Sequence, residues 1–215
     1  MIVPEGGIPM TKILLYIAIL LLAYLMGCSN MALYLSKYKG IDLRSAGSKN
    51  LGASNAMVLM GWGPGVIVAV HDIGKALLAV VLARHFGQGL PFIAAAAGVA
   101  CVLGHMFPFF LRFRGGKGFA SYLGMTLALN WKFALLVMVI VALVTFISDY
   151  IVVGTFTTVV LVPAYMAFTH GLYFSAILCI ATAAILIKHR ENYVRIYRGT
   201  EIGLRKANRV EHRKI

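Results

Sequence analysis

The chain is short of acid. Its 215 residues include 7 Asp and Glu against 20 Lys and Arg, giving a formal net charge of +13, and charged residues of both signs reach only 13%. A soluble domain of this size needs a charged surface. So little charge beside 60% hydrophobic residues excludes one and makes the lipid bilayer the solvent. Cysteine is also sparse: Cys28, Cys101 and Cys179 lie far apart in apolar sequence without CxxC spacing, which argues against a disulfide framework and assigns them to packing. The six histidines are scattered and no HExxH occurs, so the sequence calls for no metal and no cofactor. The excess of cations lies beside apolar segments. There it orients the chain and meets anionic head groups, and nucleic acid is not an expected partner.

What is present is a series of seven apolar runs, at about 12–35, 56–83, 90–111, 119–130, 133–148, 150–169 and 171–187. They predict an all-α integral membrane bundle of about seven transmembrane helices, one domain over residues 1–215 with no room for a separate soluble unit. The first run lacks a basic leader and a small-residue cleavage site, so it reads as a retained span. The fourth is short: a tilted helix, one enclosed by protein, or one joined to a polar re-entrant stretch. The 22 glycines, and Ala94 to Ala97, suit close helix approach in lipid. Lys37, Lys39, Arg44, Lys49, Arg112, Arg114, Lys117 and the basic residues from Lys188 onward fall on one side of such a bundle. Lys12, Arg84 and Lys132 fall on the other. The positive-inside rule then predicts the N-terminus outside and the C-terminus cytoplasmic. The segment after Arg195 mixes apolar and basic residues, as a surface-lying helix or a loosely ordered tail would, with 204–215 a basic cytoplasmic tail.

Three polar islands fall on that cationic side. Gly115-Gly116-Lys117-Gly118, flanked by Arg112 and Arg114, is either an anion nest of adjacent backbone N–H groups with a lysine beside it, or an ordinary positive-inside loop. It is not a Walker A loop, because no Ser or Thr follows Gly116-Lys117. Gly47-Ser48-Lys49-Asn50-Leu51-Gly52-Ala53-Ser54-Asn55 suits hydroxyl and phosphate recognition, and equally a turn followed by a helix cap. His189 and Asn192, spaced i, i+3, share a face if the last helix extends past 187, either as interfacial residues or as groups that fix a substrate oxygen. Inside the second run, Asp72 and Lys75 are also i, i+3. They can pair to offset an insertion cost of about 2.5–3.5 kcal/mol each, or face a site. His71 stands next to them.

Taken in order, these pieces resemble the integral-membrane acyl-phosphate:glycerol-3-phosphate acyltransferases of bacteria, PlsY. The matching text is Gly40-Ile41-Asp42-Leu43-Arg44, then Gly47 to Asn55, then Asp72-Ile73-Gly74-Lys75. Gly104-His105-Met106-Phe107-Pro108 with Phe113 to Gly118 follows, and His189-Arg190-Glu191-Asn192 with Gly199-Thr200-Glu201 completes it. The resemblance covers about 12–203. It implies a seven-span fold in the bacterial cytoplasmic membrane with a cytoplasmic-facing site. The implied reaction transfers an acyl group from acyl phosphate to the 1-hydroxyl of glycerol 3-phosphate, releasing lysophosphatidate and phosphate, the first acylation of phospholipid synthesis. It implies Ser48, Lys117, His189 and Asn192 as the catalytic set. Gly47, Lys49, Asn50, Asn55, Arg114, Gly115, Gly116, Gly118 and Thr155 would bind substrate. The acceptor's own phosphate is the implied base. No His-x4-Asp pair, the device of many glycerolipid acyltransferases, is present.

The chain departs from that pattern at four places. Val58 stands where the family has Arg, Lys49 and Ala76 stand where it has Gly, and Thr155 stands where it has Ser. Loss of an Arg removes a two-pronged phosphate partner, which Lys49 is expected to replace in part. The alternatives are a weakened paralogue or a membrane transporter of a phosphorylated small molecule or anion. A transporter would show an inverted repeat and polar residues at midplane, and only His71, Asp72 and Lys75 offer the latter.

Overall fold

The computed structural model describes residues 9–201, 203 and 205, and among these every regular element is helical. Lipid offers no partner to backbone N–H and C=O groups, so the long apolar runs satisfy their own. The helices are α1 (Met10–Cys28), α2 (Met31–Lys39), α3 (Ala53–Met60), α4 (Trp62–Phe86), α5 (Ile93–Met106), α6 (Phe119–Leu129), α7 (Trp131–Ser148), α8 (Ile151–His170) and α9 (Leu172–Tyr197), with one 3₁₀ turn at Phe109–Leu111. Six stretches are long and apolar enough to span a bilayer, and Phe119–Leu129 is a shorter seventh.

Two runs that the sequence presents as continuous are broken. The first is interrupted after Cys28: Ser29 is extended, and the Asn30 side chain accepts from Leu33 N at 2.9 Å, so a capped α2 begins where a single helix was expected. The second divides at Gly61, whose φ of 91° ends α3 and turns the chain into α4. The last helix, by contrast, runs ten residues beyond its apolar stretch. At 26 residues it is about 39 Å long, more than the ~30 Å hydrocarbon layer, so its final turns carry polar side chains out of the apolar zone.

Of the three readings open for the fourth run, the enclosed helix is the one found. Ser121, Tyr122, Met125 and Thr126 of α6 are fully buried, and Gly124 lies so close to the Ile73 backbone that a Cβ would collide with its carbonyl. The last carbonyls of α6 are met by Arg84 at the end of α4, which donates to Ala128 O at 2.6 Å and Leu129 O at 3.1 Å. Gly27 and Gly104 similarly allow α1 and α5 to meet backbone to backbone, against Cys101 and Tyr24. Cys28 and Cys101 are buried as packing residues, whereas Cys179 is exposed on α9.

These contacts fix the two ends of the bundle. Arg84, Asn130 and the stacked His170 and Phe174 mark one end. The loop 40–52, the segment 107–118 and the end of α9 share the other: Leu111 packs with Leu43 and Leu51, and Lys117 reaches Asn192. The basic tail expected at 204–215 lies outside the described residues, apart from Arg205. That residue's guanidinium stands 3.9 Å from Asp149 and donates to Phe146 O.

Candidate functional site

The first wall is built by one asparagine. Asn55, on the first turn of α3, is 2% exposed. Its Oδ1 accepts from Ser48 N at 2.8 Å, while its Nδ2 donates to Leu43 O at 2.8 Å, Asn50 O at 3.1 Å and Ala46 O at 3.3 Å. Asn55 thereby gathers the loop around its amide and presents Ser48 at the exposed surface. Gly47 (φ 60°) has to be glycine here, since a Cβ would run into Asn55 Oδ1. Lys49 is also left-handed, with φ 55°, the conformation that glycine takes without strain. Leu43 and Leu51, both essentially unexposed, anchor the loop in apolar packing with Ala56 and Val68.

The second wall is the segment after α5. The expected nest of adjacent N–H groups at Gly115 and Gly116 does not form, because both are already bonded: Gly115 N donates to Met106 O and Gly116 N to His105 O, each at 3.1 Å. These glycines serve close approach instead. A Cβ at Gly115 would strike His105 O, and one at Gly116 would strike the His105 ring. Free donors arise one step on. Gly118 (φ 90°) opens α6 without a side-chain cap, so the N-terminal N–H groups of an 11-residue helix face the Lys117 side of the loop. Arg114 is exposed beside them.

The third wall is the end of α9. His189 and Asn192 share a buried face, 6% and 7% exposed. His189 Nδ1 lies 2.9 Å from Ile185 O; a carbonyl only accepts, so Nδ1 carries the hydrogen and Nε2 is left as an acceptor. The Lys117 ammonium donates to Asn192 Oδ1 at 2.5 Å. Asn192 Nδ2 in turn donates to Glu201 Oε1 at 2.6 Å, and Arg195 Nε to Glu201 Oε2 at 2.6 Å. Burial lowers the Lys117 pKa, and the nearby Arg195 lowers it further against the pull of Glu201 and Glu191.

Lys117, His189 and Asn192 are thus brought together, and the loop presenting Ser48 lies at the same end. Among the described residues no hydrogen bond joins Ser48 to the other three. Thr155 is buried in α8 and donates to its own helix at Ile151 O, 3.2 Å away. Val58 is 62% exposed, and Ala76 is fully buried. Glu201 and Arg195, which the sequence reading did not place among the site residues, complete the network. Their signal was the Gly199-Thr200-Glu201 turn: Gly199 (φ 66°) folds the chain back so that Thr200 N and Glu201 N both donate to Arg195 O.

An integral membrane bundle with a lysine and an uncapped helix start converging on a buried histidine is suited to holding a phosphorylated molecule at the apolar boundary. The family model for "Glycerol-3-phosphate acyltransferase" matches residues 17–199, and the chain belongs to that family. It is 36% identical over 190 residues to the glycerol-3-phosphate acyltransferase of Prochlorococcus marinus (strain MIT 9312), covering 86% of this chain and 95% of the relative. It is 37% identical over 195 residues to a glycerol-3-phosphate acyltransferase of Thermus thermophilus, covering 90% and 96%. Among solved structures it is similar to PlsY, an integral membrane glycerol 3-phosphate acyltransferase, in its glycerol 3-phosphate form, with TM-score 0.80 and 30% identity over 88% of this chain and 95% of that one. The lysophosphatidic acid form gives TM-score 0.79 at 28% identity, over 87% and 94%.

Proposed function

We propose that this acyltransferase moves a fatty acyl group from acyl phosphate to the 1-hydroxyl of glycerol 3-phosphate, yielding 1-acylglycerol 3-phosphate and inorganic phosphate. The hydroxyl oxygen attacks the acyl carbonyl carbon, the bond from that carbon to the phosphate oxygen breaks, and the electron pair leaves on phosphate. The hydroxyl proton passes to a phosphate oxygen. The donor is a mixed anhydride and already activated, so alignment and charge stabilisation carry the rate without a covalent enzyme intermediate.

In this reading Lys117 and the start of α6 hold phosphate. At ~4 Å and an effective dielectric of ~20, one lysine–phosphate charge pair contributes on the order of 4 kcal/mol before desolvation. His189 Nε2 accepts from the glycerol hydroxyl and orients it. Asn192, fixed between Lys117 and Glu201, keeps the ammonium aimed. Ser48 and Asn50 close the site from the opposite loop, with Lys49 and Arg114 at its cationic rim and Thr155 behind it. The cationic end faces the cytoplasm of a bacterial cell, with the N-terminus outside, as the positive-inside rule requires. The whole chain acts as one catalytic domain.

The observation that carries this is the bond between Lys117 and Asn192, which ties the glycine loop to the helix bearing His189. The transporter reading loses its one support, because His71, Asp72 and Lys75 bond to one another and to neighbouring helices rather than line a path. The test is phosphate release from palmitoyl phosphate by the purified protein in detergent. Release that requires glycerol 3-phosphate and is abolished in Lys117→Ala is expected. Release independent of acceptor, or undiminished in that variant, overturns the assignment.

A further inference from the structure

Between the two substrate loops, deep in the bundle, sits a charged cluster that the proposed reaction does not use. Asp72 is 2% exposed, Lys75 8% and His105 3%. The lysine ammonium lies 2.7 Å from Ser29 O, 2.8 Å from Asp72 Oδ1 and 2.9 Å from His105 Nδ1. His105 Nδ1 also lies 3.3 Å from Asp72 Oδ1, so this ring nitrogen faces both members of the ion pair. The other ring nitrogen, Nε2, is the atom that lies against Gly116, where a Cβ would strike it. His105 thus grips Gly116 twice, by its ring and by its carbonyl, which takes the Gly116 N–H.

The same cluster reaches the other loop. Lys75 holds the Ser29 carbonyl, and His71 Nε2 lies 3.0 Å from Ser29 Oγ, so α4 clamps the break between α1 and α2 from both sides. Next to it, Asn30 donates to Leu51 O at 3.4 Å and caps α2, which leads into the loop carrying Ser48. One hub of ionic hydrogen bonds therefore touches the backbone beneath Lys117 and the backbone that leads to Ser48.

We propose that Asp72, Lys75 and His105 are positioning residues that set the distance between the Gly47–Asn55 loop and the Gly115–Gly118 loop. The proposal rests on the reading of those loops as the two sides of the substrate site. A buried ion pair kept only for fold stability is often replaced by apolar residues at no cost. A positioning unit is not, because its geometry is read out in how well both loops meet the substrate at once.

The test uses the full chain in detergent, with two kinds of variant. Asp72→Asn combined with Lys75→Met removes both charges together, and His105→Phe keeps the ring volume against Gly116 while deleting its nitrogens. Both are expected to unfold within a few degrees of the parent. Both should lose at least tenfold in kcat/KM, chiefly as a raised KM for glycerol 3-phosphate, and His105→Gln should recover part of the loss. The triple variant should be no worse than the double, since the three act as one unit. A second measurement does not depend on turnover. Spin labels at Ser45→Cys and Arg112→Cys, in a Cys179→Ala background, report the distance between the loops, and its distribution should broaden in each variant. Folded variants with activity within twofold of the parent, losses that multiply, or an unchanged distance distribution overturn the proposal. If the parent transfers no acyl group, the function fails while the label distances still judge the positioning.

Discussion

The Lys117 ammonium and the Asn192 amide, 75 residues apart in sequence, are joined by a hydrogen bond of 2.5 Å. It is the point at which the glycine segment, the start of α6 and the end of α9 become one surface. Lys117→Ala should therefore lower kcat/KM by about 100-fold or more, the scale of losing one preorganised charge-stabilising donor. Steady-state phosphate release measures it, and an effect under threefold would remove Lys117 from the reaction.

The same lysine sets a pH limit. Burial lowers its pKa from the ordinary 10.5, so the ammonium is lost at a pH below that of a free lysine. Activity that needs the cation should fall on an alkaline limb below 10.5, and Lys117→Arg, weaker at neutral pH, should extend that limb upward. For stability the sign is the reverse. The folded state binds this proton less well than the unfolded chain does, so the penalty is present at neutral pH and is relieved as pH rises through the folded pKa. The pH profile of kcat/KM checks the first statement and thermal unfolding against pH the second.

Glu201 accepts from Asn192 and Arg195 with separate oxygens. Glu201→Gln places an NH₂ group where one of those donors needs an acceptor. The expected cost is about 1–3 kcal/mol of stability, together with a clear drop in kcat as Asn192 loses its orientation. In a double-mutant cycle with Arg195→Met the effects should be non-additive; additive effects would show that the two side chains act separately.

Asn55→Ala removes four hydrogen bonds that shape the loop before α3. The loop should loosen, with faster protease cleavage near Arg44 and Lys49 and a KM for glycerol 3-phosphate raised at least fivefold. Protection equal to that of the parent would show that Leu43 and Leu51 anchor the loop unaided.

Lys49 holds a left-handed backbone at a position where the resembling family carries glycine. Lys49→Gly relieves the strain and removes the charge; Lys49→Ala removes the charge alone. If the lysine replaces the missing Arg at position 58 as a phosphate partner, both changes raise the KM for glycerol 3-phosphate severalfold. An unchanged KM in Lys49→Gly ends that idea.

Composition and hydropathy made the helical membrane fold legible, because in lipid the backbone has little choice. They did not reveal the breaks at Ser29 and Gly61. Both lie inside continuous apolar runs; the break at Ser29 is held by a partner distant in sequence, Lys75, which takes its carbonyl, and the one at Gly61 by a positive φ that a glycine in an apolar run does not announce. At the site, the i, i+3 spacing of His189 and Asn192 foretold their shared face. The packing role of Gly115 and Gly116 is not legible in sequence, because two adjacent glycines look the same whether they free their N–H groups or let a histidine ring come close. Only the fold shows that His105 fills that space. Asn55 was similarly ambiguous, since an amide that builds a loop and one that binds a ligand are the same residue.

The brevity of α6 has a consequence for traffic. Eleven residues rise roughly 17 Å, little more than half of an apolar layer ~30 Å deep, and the helix is rooted at the end marked by Arg84 and Asn130. Gly118 accordingly lies level with Ile185, a full turn below His189. An apolar layer ~30 Å deep measured from the Arg84 end would enclose the loop that opens α6. In that placement a water-soluble polyol phosphate would have to descend to the loop, whereas an acylated product formed there would already be at the depth of the fatty chains and would depart sideways into the leaflet without crossing water.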